Sequence, residues 1–334
     1  MSENRTQTSS GNVKTIESVY PAEEIIAART IPPRRRRPWT MPMFLLVATI
    51  VSMTWAGITA WNPMNVWEQA AYEGSMFTIR KHVLANWSGG LVFSLSLAVI
   101  LGAHELGHYI ATRLYRIPST LPLFIPFPIG PTGTCGAVIL MDGFKADRKQ
   151  IFDIGIAGPL AGLVFAIPIA WFGLTSNSFL ETTTSTIQFG QPLGISLLNK
   201  LANPDSPVAR DWIPNTSMNP MLMAAWVGLL VTGLNMIPIS QLDGGHVLFG
   251  LLGKKSGIVS LSVYFACVTY VIYSSIKYRE PVFILMLILI PLMGISHPPS
   301  RNDNVKLGPV RVLLGIVALT IPILCLPLRP IQIL

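Results

Sequence analysis

The stretch SGGLVFSLSLAVILGAHELGHYI, Ser88 to Ile110, decides how this chain is read. It is long enough to cross a hydrocarbon core as one helix, which takes about 20 apolar residues. Only two serines interrupt it between Leu91 and Ala103, and then comes His104-Glu105-Leu106-Gly107-His108. On a helix, residues four apart lie one turn apart on one face. His104 and His108 therefore present two imidazoles that can share a metal, with the Glu105 carboxylate close to any water on that metal. The same pattern arises by chance in soluble helices. Within a membrane-grade span it carries more weight, because ionisable groups in hydrocarbon are costly and persist where function needs them.

Composition extends that reading to the whole chain. Of 334 residues, 51% are hydrophobic and 12% charged, and the mean hydropathy is +0.52. A soluble domain carries roughly 25% charged residues. Apolar runs at about 41–61, 88–112, 151–174, 220–241, 256–276, 281–297 and 310–328 predict spans, the last interrupted by Pro322 and Pro327. The expected fold class is an all-α polytopic membrane protein with about six to seven transmembrane helices. A small membrane-associated β segment is expected between spans two and three.

The net charge of +8 is informative through its placement. Arg34–Arg37 form a basic run just before the first span, read as anchoring against anionic cytoplasmic lipid, with no nucleic-acid partner. The Lys and Arg bias then predicts an N-terminus in the cytoplasm and a C-terminus outside; the expected location is a prokaryotic cytoplasmic membrane, crossed several times. Residues 1–40 mix Ser, Thr, Glu, Arg and Pro and are expected to be a disordered basic cytosolic tail. Glu3, Glu17, Glu23 and Glu24 speak against an acid-poor transit peptide. Cys135, Cys267 and Cys325 match no zinc spacing or disulfide framework. The stretch at about 175–219 reads as a polar, Thr- and Asn-rich external loop.

The second chemical element runs Asn235-Met236-Ile237-Pro238-Ile239-Ser240-Gln241-Leu242-Asp243-Gly244-Gly245-His246. Pro238 should break the helix of the fourth span, and the glycines permit a sharp turn. Two histidines leave a catalytic zinc one protein ligand short. Asp243 is the obvious third, although Asp-Gly-Gly is also an ordinary turn at a membrane boundary. Under the predicted orientation both motifs lie at similar depth near the cytoplasmic side. Asn235 could hold a substrate backbone or a developing oxyanion, or make an interhelical hydrogen bond. Gly158 and Gly162 form a G-x-x-x-G pair expected to let helices approach closely. Asp153 reads as an acid favoured by the dipole of span three, and His246 as a boundary histidine or a partner of the site.

Between spans two and three, about 117–149, the chain is apolar yet carries Pro118, Pro122, Pro126, Pro128 and Pro131. It cannot be a regular helix. Residues Cys135–Met141 have strand-like content. They could offer an edge to an extended substrate, or form a hairpin on the headgroups.

Three motifs in order, HELGH at His104–His108, GIAGPLAG at Gly155–Gly162 and N-x-x-P-x-x-x-L-D-G at Asn235–Gly244, resemble the site-2 proteases, an intramembrane zinc metalloprotease family. GTCGAVI at Gly133–Ile139 adds to the likeness, which extends over about 88–250. The resemblance implies one zinc ion on His104, His108 and Asp243, with Glu105 as the catalytic carboxylate. It implies a lipid-embedded endopeptidase that cuts in or near transmembrane segments of membrane-protein substrates. Residues 41–334 would then be the protease domain, with a core at about 88–250 and accessory spans at 256–334. A divalent-metal transporter, or a pseudoprotease that binds transmembrane helices without cutting, are the other readings. The sequence is silent on oligomeric state.

Overall fold

The first span begins where Thr40 opens an apolar helix, α1 (Thr40–Ile58). The computed structural model describes residues 39–176, 187–204, 212–214, 218–239, 241–278, 283–294 and 300–333. Residues 1–38 of the expected tail, Arg34–Arg37 included, lie outside them, and Thr40 already belongs to α1. A short helix α2 (Pro63–Glu73) follows, capped by Asn62 and ended by Gly74 in the left-handed conformation. Next comes α3 (Phe77–Leu114), 38 residues long, which carries HELGH near its C-terminal end.

After α3 the proline-rich stretch forms the expected β segment. Strand β1 (Leu123–Pro126) pairs antiparallel with β2 (Thr134–Val138). The turn rests on α1: a Cβ at Gly133, whose φ is +72°, would lie 2.5 Å from the Met53 Cα. Helix α4 (Arg148–Thr175) starts in a capping box between Asp147 and Gln150, which satisfies two otherwise orphaned backbone donors. Beyond it lie β3 (Ile187–Gly190), α5 (Leu193–Ala202), β4 (Trp212–Pro214) and α6 (Pro220–Asn235). Residues 236–242 interrupt the helix around Pro238, as expected, before α7 (Asp243–Leu252). A 3-10 turn, Gly253–Lys255, leads straight into α8 (Ser256–Tyr278). The remainder is α9 (Ile284–Met293), α10 (Pro309–Ala318), α11 (Ile321–Cys325) and β5 (Ile331–Ile333).

Among the described residues four helices are long and apolar enough to cross a membrane: α1, α3, α4 and the continuous run Asp243–Tyr278. Six to seven were expected; shorter apolar helices, among them Pro220–Asn235 and Pro309–Cys325, fall below that length. The fourth expected span stops at Asn235 because Pro238 ends it, which leaves α6 at 16 residues. The fifth begins thirteen residues early, since α7 runs on into α8. The last is split at Pro322 into α10 and α11. The stretch read as a polar loop at about 175–219 holds, in its described residues, α5 and two strands of a sheet ordered β4-β3-β5.

Cross-links show which ends lie together. Backbone N–H groups of Arg301 and Arg148 donate to the carbonyls of Ala146 (2.9 Å) and Asn302 (3.2 Å), so 300–303 lies beside the start of α4. The Asn219 amide donates to Gly173 O at 2.7 Å, so α6 starts beside the end of α4. The core sits where α3, α4 and α6 meet, around Phe93, Leu97, Ile100, Phe152, Leu222 and Trp226. Helix α6 is buried without a break from Leu222 to Leu229, the pattern of a helix enclosed on all sides.

Candidate metal centre

Helix α3 places His104 and His108 one turn apart, and the break at 236–242 turns α7 so that Asp243, in its first turn, meets them. The negative carboxylate there suits the positive end of the helix dipole. His104 Nε2 lies 3.1 Å from Asp243 Oδ2, and His108 Nε2 lies 3.3 Å from Asp243 Oδ1. The two Nε2 atoms are 3.2 Å apart. Three donors bound tetrahedrally at about 2.0–2.1 Å would stand about 3.3–3.4 Å from one another.

The hydrogen bonds around the rings suit a cation between them. His108 Nδ1–H donates to the Ile154 carbonyl at 2.7 Å. This bond fixes the ring's orientation and turns Nε2 towards a carboxylate oxygen. An imidazole nitrogen and a carboxylate oxygen at that distance repel unless positive charge, a metal ion or a proton on Nε2, lies between them. His104 differs: its Nδ1 is buried and has no hydrogen-bond partner among the described residues.

Helix α4 gives way to the rings. A Cβ at Gly158 would lie 2.1 Å from His108 Nε2, and one at Gly162 would lie 3.3 Å from His104 Cβ. The G-x-x-x-G pair thus makes room for imidazoles, a sharper role than the helix packing expected of it. On the third side, Gly244 presses on the break itself, where a Cβ would lie 2.1 Å from Met236 O.

The remaining expected residues fall as follows. Glu105 is 8% exposed and close enough to feel the charges of His108 and Asp243. Asn235, last residue of α6, holds its amide Nδ2 3.5 Å from His104 Nε2. His246 lies against Gly155. Asp153 is not a first-turn residue, since α4 begins at Arg148. It pairs instead with Arg311, whose Nε and Nη2 donate at 2.7 and 3.0 Å. Cys135 is exposed on β2, and partial burial raises its thiol pKa, so it is no poised thiolate. Arg148 was missed in the sequence. Its guanidinium donates to the carbonyls of Gly250 and Leu251, both at 2.9 Å, and so caps the far end of the helix that begins with Asp243.

Comparison with known proteins points the same way. The profile of peptidase family M50 matches residues 92–274. Probable zinc metalloprotease EGY2, chloroplastic, of Oryza sativa subsp. indica is 28% identical over 71% of this chain and 43% of its own length. Probable zinc metalloprotease EGY1, chloroplastic, of Arabidopsis thaliana is 28% identical over 68% of this chain and 41% of its own. The chain therefore spans less than half the length of these relatives. Both are plant proteins with chloroplastic names, and they lend no support to a prokaryotic cytoplasmic membrane. No solved structure matches the chain. With the family profile covering more than half its residues, the chain belongs to peptidase family M50, where the likeness of its three motifs to site-2 proteases had pointed.

Proposed function

We propose that the chain is a zinc-dependent intramembrane endopeptidase that hydrolyses peptide bonds in or near transmembrane segments of membrane-protein substrates. The observation that carries this reading is the meeting of the His104, His108 and Asp243 donor atoms beside a buried Glu105, on helices of membrane length. Three protein donors is the number of a catalytic rather than a closed structural zinc site. One zinc ion held there supplies Lewis acidity, making water more acidic and polarising a carbonyl.

The chain's own groups do the rest. Glu105, the carboxylate of the H-E-x-x-H pattern, accepts the proton of the attacking water and returns it to the leaving amine nitrogen. Asn235 Nδ2 points into the same space and donates to the scissile oxygen as its charge grows. Strand β2, unpaired on one edge among the described residues, accommodates the substrate as an added strand. An intact substrate helix hides its carbonyls in its own hydrogen bonds and has to unwind before attack. Residues 145–149 and Lys254–Lys255 lie on the cytoplasmic side, which labelling of introduced cysteines from each side of the membrane checks.

The test is Glu105→Gln, purified beside wild type, with zinc content and cleavage of a transmembrane substrate measured for both. Zinc should stay near wild type while the rate falls about 10²–10⁴-fold. Cleavage by the variant at close to the wild-type rate sinks the proposal.

A further inference from the structure

Beyond that activity, and resting on the metal reading, we infer that Arg311 is a positioning residue for the centre. It anchors Asp153, and with it the neighbouring Ile154 carbonyl that orients His108.

The geometry runs in two short links. The Arg311 guanidinium grips the Asp153 carboxylate with two bonds, at 2.7 and 3.0 Å. The next residue on α4, Ile154, accepts the His108 Nδ1–H at 2.7 Å. Bidentate Arg–carboxylate pairs fix orientation as well as distance. This one is partly buried, with side-chain exposures of 33% and 19%.

Helix α4 needs such an anchor here. Pro159 has no N–H, so the Gly155 carbonyl loses its donor from within the helix, and the turn after Ile154 is not pinned by the ladder alone. The Asp153 carboxylate also accepts from Tyr115 OH, just past the end of α3. Burial and that carboxylate both raise the Tyr115 pKa, which keeps it a donor. Helices α3 and α4 are thus tied twice near the site, by Tyr115–Asp153 and by His108–Ile154. Arg311 holds Asp153, the α4 partner of the first tie, from outside, and Ile154, the partner of the second, is the next residue along.

Arg311 lies on α10, beyond the residues 92–274 that the family profile matches. A segment outside the matched core therefore supports the geometry of one proposed ligand. The same segment meets α4 again through Arg301 and Asp147, 3.5 Å apart, but that pair is exposed and away from Ile154. It provides an internal control.

The experiment uses the full chain in detergent micelles. It measures zinc affinity by chelator competition, the visible spectrum of the cobalt-substituted protein, and thermal unfolding. Arg311→Gln should lower zinc affinity about 10–100-fold, as loss of a ligand's supporting partner does, and shift the cobalt bands. Arg311→Lys keeps the charge without the fork and should fall between. Arg301→Gln should match wild type. Asp153→Asn should lose as much as Arg311→Gln, and the double variant no more than either, since both act along one path. Wild-type zinc affinity and cobalt bands in Arg311→Gln overturn the inference, as do additive losses in the double variant. Should Arg311→Gln not fold, wild-type values in Arg311→Lys and Asp153→Asn overturn it equally. Wild type that binds no zinc sinks the metal reading instead, so the two failures are distinguishable.

Discussion

Helix α4 and the run from α7 into α8 look alike as sequence. Their most apolar windows have mean hydropathies of 1.9 and 1.6, yet 44% of the first is buried in the fold against 17% of the second. Along α4, Gly155, Gly158, Gly162, Ala166 and Ala170 are all buried. Along α8, Ile258, Leu261, Phe265, Ile272 and Ile276 face outward. Lipid tails are as apolar as leucine, so a helix gains little by exchanging lipid for protein. Close backbone approach and polar bonds decide which helices sit inside. Hydropathy therefore marks the membrane, and small residues mark the centre of the protein within it.

One substitution, Gly→Ala, tests that contrast at graded distances. The largest effect is expected at Gly158, where the new methyl would overlap His108 Nε2. Ring or helix must move, and zinc affinity should fall by about 100-fold, the upper end for disturbing a ligand's support. Wild-type chelator competition in this variant would break the contrast. Gly162→Ala meets His104 atoms at 3.3 and 3.4 Å, where a small shift suffices. Overpacking of this kind costs about 1–3 kcal/mol, and we expect a lower melting temperature with zinc still bound. A melting temperature unchanged from wild type would show that α4 yields more readily than its burial implies. The smallest effect belongs to Gly102 in α3 and Gly257 in α8, where an added Cβ meets nothing within 4 Å. There alanine should be neutral or stabilise by up to about 1 kcal/mol. Loss of zinc in Gly102→Ala, two residues from His104, would mean that proximity in sequence rather than facing direction governs the site.

Much of the candidate site was legible because its signals are local. The four-residue spacing of His104 and His108 set a shared face, and Pro238 announced the break that aims Asp243. Asn235 could be placed near the site because it ends the helix before that break. Local signals for α2 are present too, in Asn62-Pro63 at its start and Gly74 at its end, but its 11 residues are too few to span. What stayed hidden is long-range. Nothing in the periodicity of α4 tells that Asp153 meets Arg311, or that Gly158 faces a ring rather than another backbone. The helix boundaries differ from the expected spans for a related reason. A window of apolar residues records composition, whereas Pro238 and Pro322 shorten helices that composition would let run on.

The pairing of β5 with β3 has a consequence in time. The register joins Ile187 to Ile333 and Phe189 to Ile331. Strand β3 therefore leaves the ribosome roughly 140 residues before its partner. At about 5–20 residues per second that delay is on the order of ten seconds. Throughout it β3 keeps one row of backbone donors and acceptors open to any passing strand. Short length is its protection: with four residues, Ile187–Gly190 offers a stranger too few bonds to hold while synthesis of the proper partner catches up.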